Sequence, residues 1–159
     1  MNPTGKMKIR KAKKEDLSEI SKLILNTLNK INAKEYEKKQ FEIERKNHYV
    51  KELKKELEEK IFFVLIDKEK IIGVIQLDLK EKSIDRLFLN PKYIGRGLGK
   101  KLMIYAENYA KKKGIKKIIL YPTDFALEFY KKAGYKITRE FMGTRNGGYP
   151  VTEMEKILR

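Results

Sequence analysis

The spacing of apolar residues predicts helices in the first third of the chain. A short strand candidate, Lys8–Lys11, precedes the acidic turn Lys14–Asp16, whose carboxylates suit the positive end of a helix. A second helical pattern spans residues 33–60, and its polar middle, Arg45–His48, predicts two helices or one bent helix. The apolar face of the first helix recurs at helical spacing, at Leu17, Ile20, Ile24 and Leu28.

The middle of the chain changes to the β-branched and aromatic composition that is typical of strands. Three such segments, separated by short charged connections, predict an antiparallel meander. The third strand must end at Asn90-Pro91, because proline has no amide hydrogen to give to a central ladder. The predicted strands are Ile61–Asp67, Ile71–Leu79 and Ser83–Leu89.

The last third alternates between helical and strand patterns. Its predicted elements are a helix at 97–113 ending at Gly114, a strand at 116–121, a helix at 125–132 capped by Thr123 or Asp124 and ended by Gly134, and a hairpin of 135–142 and 151–158 with Asn146–Gly148 at its turn. A meander followed by a helical crossover predicts an α/β (α+β) fold, in which helices cover a mixed central sheet.

Composition narrows the class of protein. A chain of 159 residues fits one domain, which we expect at residues 7–159 after a flexible leader, 1–6. Without cysteine there is neither a disulfide nor a thiol nucleophile, and with a single histidine a metal site is not expected. The longest apolar run, Ile61–Ile66, is far too short to span a membrane, and no signal peptide is visible. The simplest expectation is a cytoplasmic protein.

The formal net charge is +16. Two interpretations compete: a nucleic-acid or ribosome-binding surface, or a solvated lysine-rich exterior. The second is favoured because the lysines are spread along the chain and mixed with glutamate. A positive field would also suit a polyanionic cofactor.

A glycine-rich segment lies between the meander and the next helix. Gly95, Gly97 and Gly99 remove side chains that would block an anion from the backbone, and the helix that follows presents unpaired amides at its positive end. The pattern predicts a pyrophosphate cradle, to which Arg96 and Lys100 add charge. The spacing differs from both the dinucleotide-binding and the Walker motifs.

Two segments together resemble the GNAT superfamily of N-acetyltransferases. Residues 87–102 are similar to its acyl-CoA-binding motif, and residues 123–135 to its asparagine–alanine–tyrosine–glycine–aromatic pattern. The resemblance runs from Ile9 to Leu158 and implies central strands that splay apart to admit a thioester. It also implies acetyl-CoA (coenzyme A) as co-substrate and an amine acceptor.

The resemblance assigns a role to individual positions. Tyr130 matches the tyrosine that protonates the coenzyme A thiolate, and would be the catalytic residue. Two positions depart from the family: Ile94 replaces a glutamine or arginine, which removes a polar contact, and Thr123 replaces the asparagine. The implied cofactor-binding residues are the backbone of Leu87, Phe88 and Leu89 for the pantetheine arm, then Gly95, Arg96, Gly97, Leu98, Gly99 and Lys100 for the pyrophosphate, and Thr123.

The general base and the acceptor stay open. Asp85 and Asp78 are candidate bases or amine-binding groups, a water-mediated base is an alternative, and His48 is expected to be a surface histidine. The predicted function is acetyl transfer to a primary amine of a small molecule or protein by direct attack in a ternary complex. The alternative is a non-catalytic acyl-CoA-binding or RNA-associated module of the same fold; a homodimer is left open. Aromatic residues that either line an acceptor pocket or belong to the core are Tyr36, Phe41, Tyr49, Tyr121, Phe141 and Tyr149.

Overall fold

Seven strands and five α-helices make up the computed structural model, which describes residues 6–32, 37–143 and 148–159. The first half contains β1 (Lys8–Lys11), α1 (Leu17–Thr27), α2 (Lys38–Lys46), α3 (Val50–Glu59), β2 (Ile61–Asp67), β3 (Lys70–Asp78) and β4 (Ser83–Leu89). The second half contains α4 (Leu98–Lys112), β5 (Lys117–Leu120), α5 (Leu127–Lys132), β6 (Lys136–Met142) and β7 (Pro150–Ile157).

The strands form one mixed sheet in the order β1-β2-β3-β4-β5-β7-β6. The meander β2-β3-β4 is antiparallel as predicted, and β4 and β5 are the parallel neighbours. The final hairpin folds back so that β7 lies between β5 and β6. At its turn, Asn146 and Gly147 lie outside the described residues, while Gly148 has a φ of 84°.

Helices cover both faces of the sheet, and the alternation along β2 explains how. Phe62 and Val64 point to the face covered by α1 and α3, whereas Phe63 and Leu65 point to the face covered by α4. Each face therefore buries its own hydrophobic cluster, and the predicted α/β class is confirmed.

The predicted break between the second and third helices is present. α2 ends at Lys46 and α3 begins at Val50, and the junction between them is fixed to α1 because the Ser21 hydroxyl donates to the His48 carbonyl at 2.7 Å. The 3-10 turn Lys14–Asp16 that precedes α1 is closed by Asp16, whose carboxylate accepts the Lys13 amide at 2.7 Å. In the part of the chain that the structure describes, no helix is both long and apolar enough to cross a bilayer.

The centre of the sheet is split. Between β4 and β5 the described residues contain a single ladder pair, Ser83–Ile119. Beyond Ser83 the two strands diverge, so that residues 87–89 pair with β3 on one side and have no strand partner on the other in the described ladder. The structure thus has the splay that the family resemblance predicted.

Candidate functional site

A cleft of about 620 Å³ opens where β4 and β5 separate. Its floor is β4, including Leu87, Phe88 and Leu89, and the segment after β5 forms one side. The opposite side comes from α2, α3 and their junction. We call the polar residues of that side the helical wall: Glu44, Asn47, His48, Glu52 and Glu56.

The chain leaves β4 through a tight turn at one end of the cleft. The Asn90 side chain accepts the Lys92 amide at 2.9 Å and so begins the short 3-10 turn Pro91–Tyr93. Gly95 and Gly97 then adopt φ values of 89° and 74°, in the left-handed region that favours glycine. A Cβ built on either one would meet no atom within 4 Å, so their backbones face open space.

The amino terminus of α4 completes this segment. The Lys101 amide bonds to the Gly97 carbonyl, so the amides of residues 98–100 have no acceptor within the helix. Their dipoles and the Arg96 guanidinium, which lies 5.0 Å from the Tyr93 ring centroid, make the end of the turn electropositive. The arrangement can bind a phosphate or pyrophosphate through backbone amides.

Three further positions that the resemblance singled out lie at this turn or in the cleft. Gly99 faces α5 closely, since a Cβ there would lie 3.4 Å from the Phe129 ring. Ile94 lines the cleft and is 52% exposed, without the polar group that the family has there. Thr123 occupies the cap position of the turn before α5, but its hydroxyl makes no capping hydrogen bond.

Tyr130 lies inside the cleft, on the helix that packs against the splay. The residue is 8% exposed, and no group in the described ranges hydrogen-bonds to its hydroxyl. Burial, with a contribution from the Asp85 charge, raises the pKa of the Tyr130 phenol well above its ordinary value of 10. The phenol is therefore protonated at neutral pH. A buried hydroxyl without a partner is rare in folded proteins and points to a ligand that bonds it.

Asp85 sits in a bulge of β4 at the split. Burial raises the pKa of Asp85 above its usual 3.8, and the nearest cation, Lys60 Nζ, is 3.9 Å away. A carboxylate with a raised pKa is a better proton acceptor at neutral pH than an ordinary aspartate. The register shift that creates the bulge lies between the pairs Leu77–Ile84 and Ile75–Leu87.

Asp78, the other predicted candidate, has a structural task. Its Oδ1 accepts the amides of Lys80 and Glu81, each at 3.0 Å, and thereby closes the turn between β3 and β4. It does not line the cleft.

His48 was predicted to be a surface histidine, and that prediction is wrong. The residue is 4% exposed and lines the cleft from the α2–α3 junction. Its ring lies between Glu44 and Arg86, with Phe88 edge-on at 5.4 Å between ring centroids. The sequence offered one signal, the four-residue spacing of Glu44 and His48 on a helix, which allows their side chains to meet.

Arg86 was not singled out from the sequence, yet it joins β4 to the helical wall. Its Nε donates to His48 Nδ1 at 2.8 Å, its Nη1 to Glu56 and Gln76, and its Nη2 to the Asn47 carbonyl at 2.6 Å. Arg86 is invisible to sequence reasoning because its partners come from three separate elements.

Some of the aromatic residues named as pocket or core candidates line the cleft, and others do not. Tyr121 lines the cleft, and its hydroxyl donates to Glu153 at 3.3 Å. Phe141 contacts the Tyr121 ring edge-on, and Phe41 packs against the core under α1. Tyr49 and Tyr149 do not line the cleft, and Tyr36 lies outside the described residues. The described residues contain no cluster of three or more histidine, aspartate or glutamate side chains that could hold a metal ion.

Comparison with known proteins agrees with this geometry. The family model described as an acetyltransferase (GNAT) domain matches residues 31–158. A spermidine N(1)-acetyltransferase of Thermoplasma acidophilum is 36% identical over 72 residues, which are 42% of this chain and 45% of that protein. An uncharacterized N-acetyltransferase of Methanocaldococcus jannaschii is 31% identical over 140 residues, which are 80% of this chain and 60% of that protein. This chain thus spans about half the length of the curated relatives it matches.

A solved structure extends the likeness to the whole fold. The PaiA N-acetyltransferase of Thermoplasma acidophilum, crystallised in complex with coenzyme A, is 26% identical, with a TM-score of 0.80 over 96% of this chain and 99% of that chain. The mixed seven-stranded sheet with helices on both faces places the chain in the fold class of these acetyltransferases. The chain belongs to the acetyltransferase (GNAT) domain family, which confirms the resemblance read from its sequence.

Proposed function

We propose that this protein is an N-acetyltransferase that moves the acetyl group of acetyl-CoA to a primary amine by direct attack in a ternary complex. One observation carries the proposal: the buried Tyr130 hydroxyl faces the cleft at the split of the sheet and has no partner among the described residues. A leaving thiolate is a group that such a donor would serve.

The chemistry of the reaction fits the two side chains at the split. An N–C bond forms, the C–S bond breaks, the nitrogen loses a proton and the sulfur gains one. Tyr130 is the donor toward sulfur. Although burial raises its pKa, the same burial raises the proton affinity of a thiolate beside it, so that the proton remains shared between similar groups. Asp85 is the proposed acceptor of the amine proton.

The turn that contains Gly95, Gly97 and Gly99, which we call the glycine turn, suits the pyrophosphate of coenzyme A. Open space at Gly95 and Gly97, the amides of residues 98–100 and the Arg96 and Lys100 charges support binding there. Leu87, Phe88 and Leu89 support the pantetheine arm, since the β5 side of their backbone has no strand partner in the described ladder. Thr123 is the remaining proposed contact.

The charge of the cleft supports a cationic acceptor. Although the chain carries +16 overall, the cleft is lined by Glu44, Glu52, Glu56 and Asp85 against Arg86. Local carboxylates can attract an ammonium group that the global field would repel. We therefore propose small amines with more than one cationic group, such as the spermidine in the name of the Thermoplasma relative, as the first acceptors to try.

The test is release of free thiol from acetyl-CoA with a panel of polyamines, monoamines, aminoglycosides and peptides, beside calorimetry of acetyl-CoA binding. Turnover with any amine supports the proposal. Tight acetyl-CoA binding without turnover on every amine would favour a non-catalytic module, and absence of binding would overturn the whole assignment. Titration with RNA at several salt concentrations tests whether the basic surface binds nucleic acid instead.

Asp85→Asn should lower kcat by about tenfold to a hundredfold, because general base catalysis is lost while the shape of the site is kept. Since burial raises the pKa of Asp85, the wild-type kcat at saturating amine should begin to fall at a higher pH than for an ordinary carboxylate. That acidic limb should be missing in the variant. Steady-state kinetics over roughly pH 5 to 9 measures both effects.

Asp78→Asn is the comparison variant, since it neutralises a nearby carboxylate that caps the turn after β3 and does not line the cleft. It should alter stability but keep kcat. Wild-type kcat in Asp85→Asn would instead point to water as the base.

Ile94→Gln should strengthen acetyl-CoA binding about threefold, the effect of one partly exposed hydrogen bond. The substitution restores the polar group that the family has at this edge of the cleft. Calorimetry with acetyl-CoA measures it, and Ile104→Gln is the control because Ile104 is also an exposed isoleucine, 44% accessible, but lies along α4. Equal affinities for both variants would show that position 94 does not contact the cofactor.

A further inference from the structure

The only histidine of the sequence occupies a buried position between two charged partners in the cleft. His48 Nε2 lies 2.8 Å from Glu44 Oε1, and His48 Nδ1 lies 2.8 Å from Arg86 Nε. Its own carbonyl is held by Ser21 of α1 at 2.7 Å. The ring is thus held on both sides and through its backbone.

The partners determine which ring nitrogen carries the proton. The Arg86 guanidinium is always charged and can only donate, so His48 Nδ1 must accept and cannot carry a hydrogen. Nε2 then carries the hydrogen and donates it to Glu44, which accepts. The geometry therefore requires the neutral Nε2–H tautomer.

We propose that His48 is a positioning residue, which in its neutral Nε2–H form fixes Arg86 and thereby holds the helical wall in place for the amine acceptor. The proposal rests on the proposed function and adds a specificity residue to it. It also excludes His48 as the direct general base, since both ring nitrogens are already engaged.

Arg86 transmits the effect because each of its nitrogens has a partner. Beside His48, it bonds Glu56 at 3.0 Å, the Gln76 side chain and the Asn47 carbonyl. It is also the chain neighbour of Asp85 in the β4 bulge. Losing the His48 acceptor leaves Arg86 Nε buried without a partner, and the guanidinium must shift to recover one. Such a shift moves the helical wall, to which Arg86 is bonded through Glu56 and the Asn47 carbonyl.

The charges around the ring act in both directions. Burial lowers the pKa of His48, the Glu44 hydrogen bond raises it, and Arg86 lowers it further; Glu56 on α3 raises it. The net direction is downward from about 6.5. The neutral ring consequently persists to lower pH than a free histidine, and protonation of Nδ1 would place a cation against Arg86.

Nitrogen-15 spectroscopy of the imidazole tests the tautomer without any acceptor. Because the sequence has one histidine, the spectrum of the whole chain contains one ring system. We expect an Nε2-protonated neutral ring at pH 7 and a titration midpoint below the ordinary value of 6.5. An Nδ1-protonated or cationic ring at pH 7, or a midpoint above 6.5, would overturn the proposal.

Two variants separate the two ring contacts. His48→Asn keeps an acceptor for Arg86 close to the Nδ1 position, so its KM for the amine should rise less than that of His48→Gln. His48→Gln reaches the Nε2 position instead and loses the acceptor for Arg86. Its KM for the amine should rise about tenfold, the effect of one lost charge-assisted hydrogen bond, while the KM for acetyl-CoA and kcat change less than about twofold.

The outcomes distinguish this proposal from the proposed function. If no amine is acetylated, the function fails while the tautomer can still be established. If amines are acetylated and His48→Gln and His48→Asn have the same amine KM, positioning through Arg86 is wrong and the function stands. Thermal melting tests whether both variants are folded. If one of them is not, the tautomer measurement on the wild-type protein decides the proposal.

Discussion

Replacing Tyr130 with phenylalanine should lower kcat by about a hundredfold to a thousandfold, the range expected when a proton donor to the leaving group is removed. The dissociation constant of acetyl-CoA should stay within about twofold, because the missing hydroxyl serves the sulfur only as the C–S bond breaks. Single-turnover thiol release and calorimetry give the two quantities. The fold should tolerate the change, since the hydroxyl has no hydrogen-bond partner in the described part of the chain and its loss leaves nothing unpaired.

Tyr135→Phe provides a matched control in the same cluster. Tyr135 is also buried, and its ring centroid lies 6.0 Å from that of Tyr130. Its hydroxyl, however, lies outside the cleft and donates to Glu107 at a distance of 2.7 Å. This variant should lose about 1–3 kcal/mol of unfolding free energy, because Glu107 Oε2 loses its donor while Oε1 keeps Lys156, and should keep its turnover. If Tyr130→Phe turned over at the wild-type rate, another group or water would have to supply the proton.

The parts of the site that could be read from the sequence are those in which one short segment carries the chemistry. The glycine turn needs positive φ at Gly95 and Gly97, which few other residue types tolerate. The residue types in this segment therefore indicate its backbone conformation. The meander likewise follows from local alternation and short connections. Tyr130 was found because the family pattern places it at a fixed distance from Gly134, whose φ of 100° ends α5.

The remainder depends on contacts between distant segments. Arg86 is far along the chain from His48 and Glu56, and they meet because the α2–α3 region folds onto β4. A polar break between helices suggested a solvated loop, and nothing local to His48 indicated that the junction would be buried against Phe88. The position of β7 between β5 and β6 is another long-range pairing that periodicity does not encode.

The net charge of the chain and the positions of its charged residues likewise lead to different expectations for the acceptor. The total of +16 would by itself repel a polycationic acceptor. In the fold, Arg96 and Lys100 belong to the glycine turn, whereas four carboxylates line the cleft together with Arg86: Glu44, Glu52, Glu56 and Asp85. The glycine turn is thus a basic segment suited to a pyrophosphate, and the cleft has an acidic wall suited to an ammonium group.

Gly95→Glu should weaken acetyl-CoA binding by about a hundredfold, because it brings a carboxylate into the space proposed for the pyrophosphate. The chain offers a close control in Gly114→Glu. Gly95 and Gly114 have φ values of 89° and 87°, and a Cβ on either meets no atom within 4 Å. Each glutamate therefore introduces similar backbone strain, about 1–2 kcal/mol. Only residue 95, however, lies in the glycine turn.

Comparing the two variants removes the contribution of strain from the result. Both should melt at similar temperatures below wild type, while calorimetry should show lost acetyl-CoA affinity for Gly95→Glu alone. Raising the salt concentration should recover part of that affinity, because repulsion between exposed charges is screened. Equal affinity for the two variants would place the pyrophosphate elsewhere. A salt-independent loss in Gly95→Glu would mean that bulk at this position blocks the cofactor, so that open space at Gly95 matters more than charge.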